Sequence, residues 1–397
     1  MPRDLKQCSR RALIAAIDFG LALAFPWRRL RRRGPVPADP HRVLVCRVDH
    51  IGDVFLSLPA LARVRAHYPN AQLTVLVASW AAALLRAAGC QDQLLVCDPP
   101  WWVAKRKSRF GRAEAAGGWL ALWKMILTLR ARRFDLCIEL RGDVRQIVAF
   151  GVLGGARFLL TRRRNGGAGL ADLALAINES MHECDQNLAL VGALGIVAAP
   201  PVFPEPCSAA DVRRVQELLG RLREVPGGRT VVVHPGAKWV NRWPVEAYIE
   251  LLRGLADPPG GVRVLLTGAA AESALCEQLA AALPGQAHSL AGCLTLTETA
   301  ALFAAADLVV MADTGPMHFL NAIATPALLL FGPTAAARFA PRGPHITLLG
   351  NAQCCAEGLH EICTRVAPGA ASACMAQLGP QEVLRHARAK LGPAQPG

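Results

Sequence analysis

Residues 311–334 read MADTGPMHFLNAIATPALLLFGPT. The run Ala306 to Met311 is short, apolar and rich in β-branched residues, as a buried parallel strand requires. Asp313-Thr314-Gly315-Pro316 breaks it. Thr314 is placed to cap a following short helix, which tolerates Pro316 in its first turn and carries His318. Thr325-Pro326 ends that helix, and Ala327 to Phe331 reads as the next strand. This order puts polar side chains and backbone N–H groups at the carboxyl end of a parallel strand. Open α/β sheets bind ligands there, and helix N-termini favour anions such as phosphate. Taken alone, Asp-Thr-Gly-Pro also fits an ordinary turn between strand and helix, the lesser of the two readings.

The same alternation extends outward through the chain. Pro200, Pro201, Pro204 and Pro206 mark a boundary. After it come a helix (Ala209 to Leu222), a strand (Thr230 to Val233), the turn His234-Pro235-Gly236-Ala237-Lys238-Trp239-Val240-Asn241-Arg242-Trp243-Pro244 and a helix (Val245 to Leu255). The strand Val262 to Leu266 ends at Thr267-Gly268, with Glu272 in the helix beyond. Before the boundary, Val43 to Cys46 is a strand followed by the turn Arg47-Val48-Asp49-His50-Ile51-Gly52-Asp53. A helix over Val54 to His67, with Pro59 inside it, comes next. Leu73 to Val77 and Gln93 to Val96 are strands, Leu120 to Arg132 is a helix, and Phe134 to Leu140 is a strand ending at Arg141-Gly142-Asp143. Residues 151–200 close the domain with short helices. Strands alternating with helices imply parallel sheets with right-handed crossovers. The expected layout is an appendage over 1–40, an α/β domain over 41–205 and a second over 206–397.

The 397 residues are 52% hydrophobic and 19% charged, enough for two cores. A net charge of +14, mostly from arginine, favours anionic partners: nucleotides, phosphorylated glycans, nucleic acid or an acidic membrane surface. With only two tyrosines and no zinc-finger spacing, no nucleic-acid partner is expected. Trp101 to Gly118 is basic and aromatic, either a solvated loop or an acceptor-facing patch. The 13 cysteines are an odd number, scattered in apolar runs as free thiols in a reducing cytosol would be. For the cluster Cys354, Cys355, Cys363 and Cys374, metal and disulfide both stay open, although the spacing matches no standard zinc pattern. In the appendage, Ala12 to Phe25 is apolar apart from Asp18 and is flanked by arginines. It is short for a membrane span, and Asp18 makes spanning costlier. Ala22-Leu23-Ala24 has the look of a cleavage site, but the arginines just beyond argue against export. Two readings stay open: an amphipathic helix on an anionic inner leaflet, or a helix packed on the body. Gly34-Pro35-Val36-Pro37 is a linker.

Three separated blocks, in order, carry a resemblance. They are Arg47-Val48-Asp49-His50-Ile51-Gly52-Asp53 with Leu58-Pro59-Ala60-Leu61; His234-Pro235-Gly236-Ala237 with Arg242-Trp243-Pro244; and Asp313-Thr314-Gly315-Pro316-Met317-His318 with Phe331-Gly332-Pro333-Thr334. Together they resemble glycosyltransferase family 9, the ADP-heptose:lipopolysaccharide heptosyltransferases, over roughly residues 41–390. The resemblance implies the GT-B fold: two Rossmann-like domains facing a central cleft, acceptor on the first and sugar nucleotide on the second. It also implies an inverting transfer of heptose from ADP-heptose to the lipopolysaccharide inner core. The enzyme would be cytoplasmic, without cofactor or metal, using the ADP-sugar as donor substrate; peripheral contact with the inner face of the inner membrane stays open with the two readings of the appendage.

The resemblance makes Asp53, after Gly52, the base that takes the acceptor proton. Its bland counterpart is a carboxylate complementing a helix dipole. Diphosphate stabilisation falls to backbone N–H groups at Thr314 and Gly315 and to the Thr314 hydroxyl, since the sequence has no Asp-x-Asp pair for a divalent cation. His318 is either a phosphate or sugar contact or an ordinary helix histidine. Asp313 is assigned to the heptose hydroxyls and Glu272 to the ribose. Gly236 and Ala237 offer backbone N–H groups. Family members commonly carry a lysine where this chain has Asn241, so Lys238 or Arg242 is expected to supply the missing positive charge. Three rivals remain: a transferase with another sugar nucleotide or surface-glycan acceptor, a catalytically silent nucleotide-sugar binding protein, and, as the weakest of the three, a basic nucleic-acid binder.

Overall fold

The computed structural model describes residues 3–30, 34–102, 118–178, 180–222, 228–237, 241–256, 261–350 and 372–392. The chain divides into two compact units, Met1–Val202 and Phe203–Gly397.

The first unit opens with helices α1 (Arg3–Ala24) and α2 (Pro26–Leu30). Strands β1 (Arg42–Cys46), β2 (Gln72–Val77), β3 (Gln93–Val96), β4 (Leu136–Glu139), β5 (Phe158–Arg163) and β6 (Leu173–Ala176) follow. They form one parallel sheet in the order β3-β2-β1-β4-β5-β6. The chain therefore winds outward from β1 in one direction, then returns to lay β4 on its other side. Helices α3 (Ile51–Phe55) and α4 (Leu58–His67) connect β1 to β2, and α5 (Trp119–Arg132) precedes β4. Helix α6 (Glu183–Gly192) follows the sheet.

Two expectations need correction here. The segment after Asp53 is two helices, not one over 54–67: it breaks at Leu56-Ser57, and Pro59 sits in the first turn of α4. Proline is tolerated there because its missing N–H has no helical acceptor in any case. Residues 151–200 are also more than short helices, since they supply β5 and β6. The polar Thr-Arg-Arg end of β5 conceals a strand whose first five residues are buried.

The appendage is part of this unit. Asp18 Oδ1 accepts the Gly167 N–H at 2.5 Å. The Arg28 guanidinium donates to the carbonyls of Leu170 (3.2 Å) and Ala156 (3.0 Å) and pairs with Asp172 at 3.1 Å. Of the two readings of the N-terminal helix, packing on the body is what the structure shows. The charge of Asp18, costly in a bilayer, instead completes a turn whose glycines hold left-handed φ values of 91° (Gly166) and 80° (Gly167).

The second unit begins with α7 (Ala209–Arg221), held at its start by a capping box between Ser208 and Asp211. Strand β7 (Arg229–His234) leads to α8 (Val245–Leu255), β8 (Val262–Leu266), α9 (Ser273–Ala281) and β9 (Ala287–Ser289). Helix α10 (Leu296–Ala304), strands β10 (Leu308–Ala312), β11 (Ala327–Leu330) and β12 (Ile346–Leu349), and α11 (Pro380–Leu391) complete it. The sheet order β12-β11-β10-β7-β8-β9 repeats that of the first unit. Helices α8 and α11 pack together on one face, where Tyr248, Leu252, Val383 and Leu384 join the buried cluster. In each unit the winding reverses between two adjacent strands, β1 and β4 or β7 and β10. A doubly wound sheet opens a crevice there, beyond the carboxyl ends of its strands.

Candidate active site

The turn after β1 is organised by Arg47, a fully buried arginine. A guanidinium removed from water needs partners on all sides. Nη1 donates to the Leu140 carbonyl at 2.8 Å, at the end of the adjacent β4. Nη2 lies 3.3 Å from Asp53 Oδ1 and 3.2 Å from Glu183 Oε1. Glu183, at the start of α6, also takes Arg162 Nη1 at 2.8 Å from the end of β5. Asp53 itself sits in the single turn α3, and its side chain keeps 24% of its surface exposed. Arg47, Arg162 and Glu183 thus form a buried network with one part-exposed carboxylate at its edge. Gly52, before Asp53, is buried within α3.

A second charged group lies beside it. Asp49 is buried, accepts the His50 N–H at 2.9 Å and is paired with Arg141. The Arg141 guanidinium stacks over Trp102 at 5.1 Å, and His50 packs edge-on against the same ring at 4.8 Å. Burial, reinforced by Arg47, lowers Arg141 to about 10. Glu139, wholly buried at the end of β4, accepts N–H groups from Arg141 (3.2 Å) and Gly142 (2.7 Å) and the Thr161 hydroxyl (2.6 Å). Burial outweighs those bonds and raises its carboxyl to about 7.

In the second unit, His234 ends β7 with Nδ1 3.0 Å from Thr267 Oγ1 at the end of β8. Burial drops its pKa to about 4, so the ring is neutral at neutral pH. Gly236 follows in close contact with Glu272: a Cβ built there would fall 2.0 Å from Glu272 Oε1. Glu272 lies not in α9, as expected, but in the turn before it, where Oε2 accepts the Ala269 N–H at 2.7 Å. The carboxylate and the Gly236 backbone therefore face one another. Ala237 is buried, and its carbonyl accepts Arg242 Nε at 3.2 Å. Arg242 is exposed, whereas Trp243 is buried and donates to the Leu378 carbonyl at 2.9 Å.

Asn241 stands between the second and third blocks. It is buried, and its amide nitrogen lies 2.8 Å from Asp313 Oδ2 and 3.1 Å from Thr334 Oγ1. Asp313 follows directly on β10, and Asp313, Thr314 and Gly315 are half-buried. Thr314 does not cap with its side chain; its backbone is extended, and the helix it starts is a tight 3₁₀ turn over Gly315–Asn321. His318 is buried in that turn. Register explains the gathering: β7 and β10 are adjacent, with Met311 opposite His234, so both polar turns leave the sheet side by side.

Lys238, the basic stretch 103–117 and Cys354, Cys355 and Cys363 lie outside the described residues; Cys374 is buried. Among the described residues, no group of three or more His, Cys, Asp or Glu side chains is arranged to hold a metal ion. Sequence reasoning missed Glu183, Arg162 and Glu139, and gave Thr334, the last residue of the third block, no role. The one available signal was the arginine run ending the apolar stretch at Phe158, because charge at a strand's carboxyl end marks the ligand side.

Two Rossmann-like units in one chain, each with polar turns at its switch point, are the architecture of GT-B glycosyltransferases. The chain belongs to glycosyltransferase family 9 (heptosyltransferase), whose model matches residues 122–366. It is 27% identical over 307 residues to lipopolysaccharide heptosyltransferase 1 of Escherichia coli K12, covering 74% of this chain and 88% of that one. Against lipopolysaccharide heptosyltransferase 1 of Pseudomonas aeruginosa PAO1 it is 26% identical over 335 residues, covering 81% and 87%. The solved structure of E. coli ADP-heptose lipopolysaccharide heptosyltransferase II matches with a TM-score of 0.68 at 21% identity, over 88% of this chain and 98% of that one. The protein is a glycosyltransferase.

Proposed function

We propose that the protein transfers a heptose from ADP-heptose to a hydroxyl of the lipopolysaccharide inner core, with inversion and without a metal. The relatives' names supply donor and acceptor class. The observation that carries the mechanism is Asp53: a part-exposed carboxylate at a strand's carboxyl end, aimed by a buried arginine. A carboxylate so placed can take the proton of an acceptor hydroxyl as it attacks the anomeric carbon. Departure of ADP needs stabilised negative charge. The second unit offers backbone N–H groups at Thr314 and Gly315, beside the neutral amide of Asn241. Asp313 is assigned to sugar hydroxyls, Glu272 to the ribose, and His318 and Arg242 to the diphosphate end. The protein needs no cofactor in this reading.

The test is ADP release from ADP-heptose with a truncated lipid A–Kdo acceptor, for wild type and Asp53→Asn. Release that requires both substrates and falls about 10²- to 10⁴-fold in the variant supports the reading. Donor binding measured by calorimetry should persist in the variant. Undiminished release in Asp53→Asn would remove Asp53 as the base. Binding of a different sugar nucleotide in preference to ADP-heptose would overturn the donor.

A further inference from the structure

A cavity of about 590 Å³ lies between α1 and the connection from β5 to β6, within the size range of small-molecule pockets. Its apolar lining comes from Ile14, Phe19 and Ala22 of α1 and from Leu170. Its charged lining comes from Arg163, the last residue of β5, and from Arg164 just beyond. The helix is seated on the glycine turn at the cavity's edge. Asp18 Oδ1 accepts the Gly167 N–H, and a Cβ built on Gly166 would fall 3.0 Å from Ile17 Cγ2. Ile17 and Asp18 therefore fix the distance of α1 from the turn, and the space beside them stays open. Helix α1 also precedes the three sequence blocks, so this wall lies outside the stretch that carries the family resemblance.

Charge and lining together indicate the ligand. Arg163 Nε donates to the Ala174 carbonyl at 3.2 Å, which fixes that exposed guanidinium at the cavity. Arg164 is half-buried, and among the described residues it makes no hydrogen bond or ion pair. A guanidinium drawn part-way out of water without a counter-ion favours an anion brought from outside. Asp18, the acid at the cavity, sets one negative charge against two positive ones, and its Oδ1 is committed to Gly167. A cation or a neutral sugar would leave Arg164 unpaired. Inorganic phosphate would pair with it and leave the apolar lining in water. A molecule with an anionic head and an apolar body satisfies both.

We propose that this cavity binds a small, soluble amphiphilic anion. Its carboxylate or phosphate head pairs with Arg164 and Arg163, and its apolar body lies against Ile14, Phe19, Ala22 and Leu170. The site takes no part in the transfer reaction and stands whichever glycan is the acceptor.

The test is calorimetry of the full chain with decanoate, kept below the concentration at which it forms micelles. Acetate serves as the head alone and decyl maltoside as a neutral amphiphile. Decanoate should bind one to one, and the other two about tenfold or more weakly. Arg164→Ala should weaken decanoate binding about tenfold or more, and Arg164→Lys should restore part of it. Asp18→Asn keeps an oxygen for the Gly167 N–H and removes a repelling charge, so it should bind decanoate about threefold tighter. Ala22→Trp should fill the cavity and abolish binding. Should that variant melt early, Phe19→Ser gives the same reading, because Phe19 is exposed and its loss leaves the core intact. No binding, equal binding of acetate or of decyl maltoside, or wild-type affinity in Arg164→Ala would each overturn the assignment. Donor and acceptor are absent from every arm, so failure here leaves the transfer reading untouched.

Discussion

Arg47 and Asp53 meet through one contact: Nη2 of the buried guanidinium lies 3.3 Å from Oδ1 of the carboxylate. The same nitrogen lies 3.2 Å from Glu183, which is 1% exposed against 24% for Asp53. The two carboxylates share a partner but differ in what they contribute. Breaking a buried pair strands an uncompensated charge and costs roughly 3–5 kcal/mol, whereas an exposed pair contributes roughly 0–1. Glu183→Gln should therefore lower the unfolding midpoint far more than Asp53→Asn, while Asp53→Asn should do the greater damage to turnover. Thermal melts alongside initial rates read both. Equal melting temperatures in the two variants would sink the assignment of Glu183 as the anchor.

Asn241 is the next point of leverage. Its amide donates to Asp313 and Thr334 and so ties the second block to the third. Asn241→Ala removes that donor from two half-buried oxygens, a loss on the order of 1 kcal/mol per hydrogen bond. If Asp313 serves the donor sugar, that disorder appears as donor affinity about tenfold or more weaker by calorimetry. Unaltered affinity would show that Asp313 is held by the fold and not by this amide.

Gly236 is required by contact rather than by backbone angle. A methyl group there would overlap the Glu272 carboxylate, and one built on Gly268 would fall 2.9 Å from Oε2. Gly236→Ala must push Glu272 aside. Glu272→Gln keeps the volume and removes the charge. Were Glu272 the ribose contact, Gly236→Ala and Glu272→Gln would both weaken ADP binding, and adding Gly236→Ala to Glu272→Ala, where the methyl group meets no carboxylate, would cost nothing further. An alanine at Gly236 that leaves ADP binding intact would take Glu272 out of the site.

Much of this was legible in the sequence. Short apolar runs closed by Gly, Pro or Asp placed eight of the sheet strands, since a strand buried on both faces must be continuously apolar. The turns after β1, β7 and β10 were legible as ligand sites because polar residues stand where strands end. Strands β5 and β6 were not read as strands, and Arg162 and Glu183 went unseen with them. A buried arginine pairing with a glutamate 21 residues on leaves no periodic trace. Asn241 was read as a lost phosphate contact; the structure shows what it does instead, which is to bond Asp313 and Thr334.

The two units should respond to pH in opposite directions. Burial raises Glu139 from 4.5 to about 7, so between those values the folded first unit holds a proton that the unfolded chain has released. Its contribution is full below pH about 4.5 and is lost as pH rises to about 7, on the order of 3 kcal/mol in all. His234 behaves in the reverse sense. Burial lowers it from 6.5 to about 4, so the unfolded chain binds the extra proton, and stability is present above pH about 6.5 and lost as pH falls toward 4. Glu139→Gln keeps a group that can bond Thr161 but cannot titrate, and should remove the decline between pH 5 and 7. His234→Asn should remove the decline on acidification. Melting curves of wild type and both variants at pH 5, 6, 7 and 8 check the pair. A wild-type profile that Glu139→Gln leaves unchanged would mean that this carboxyl is already ionised in the folded protein, with Thr161, Gly142 and Arg47 outweighing its burial.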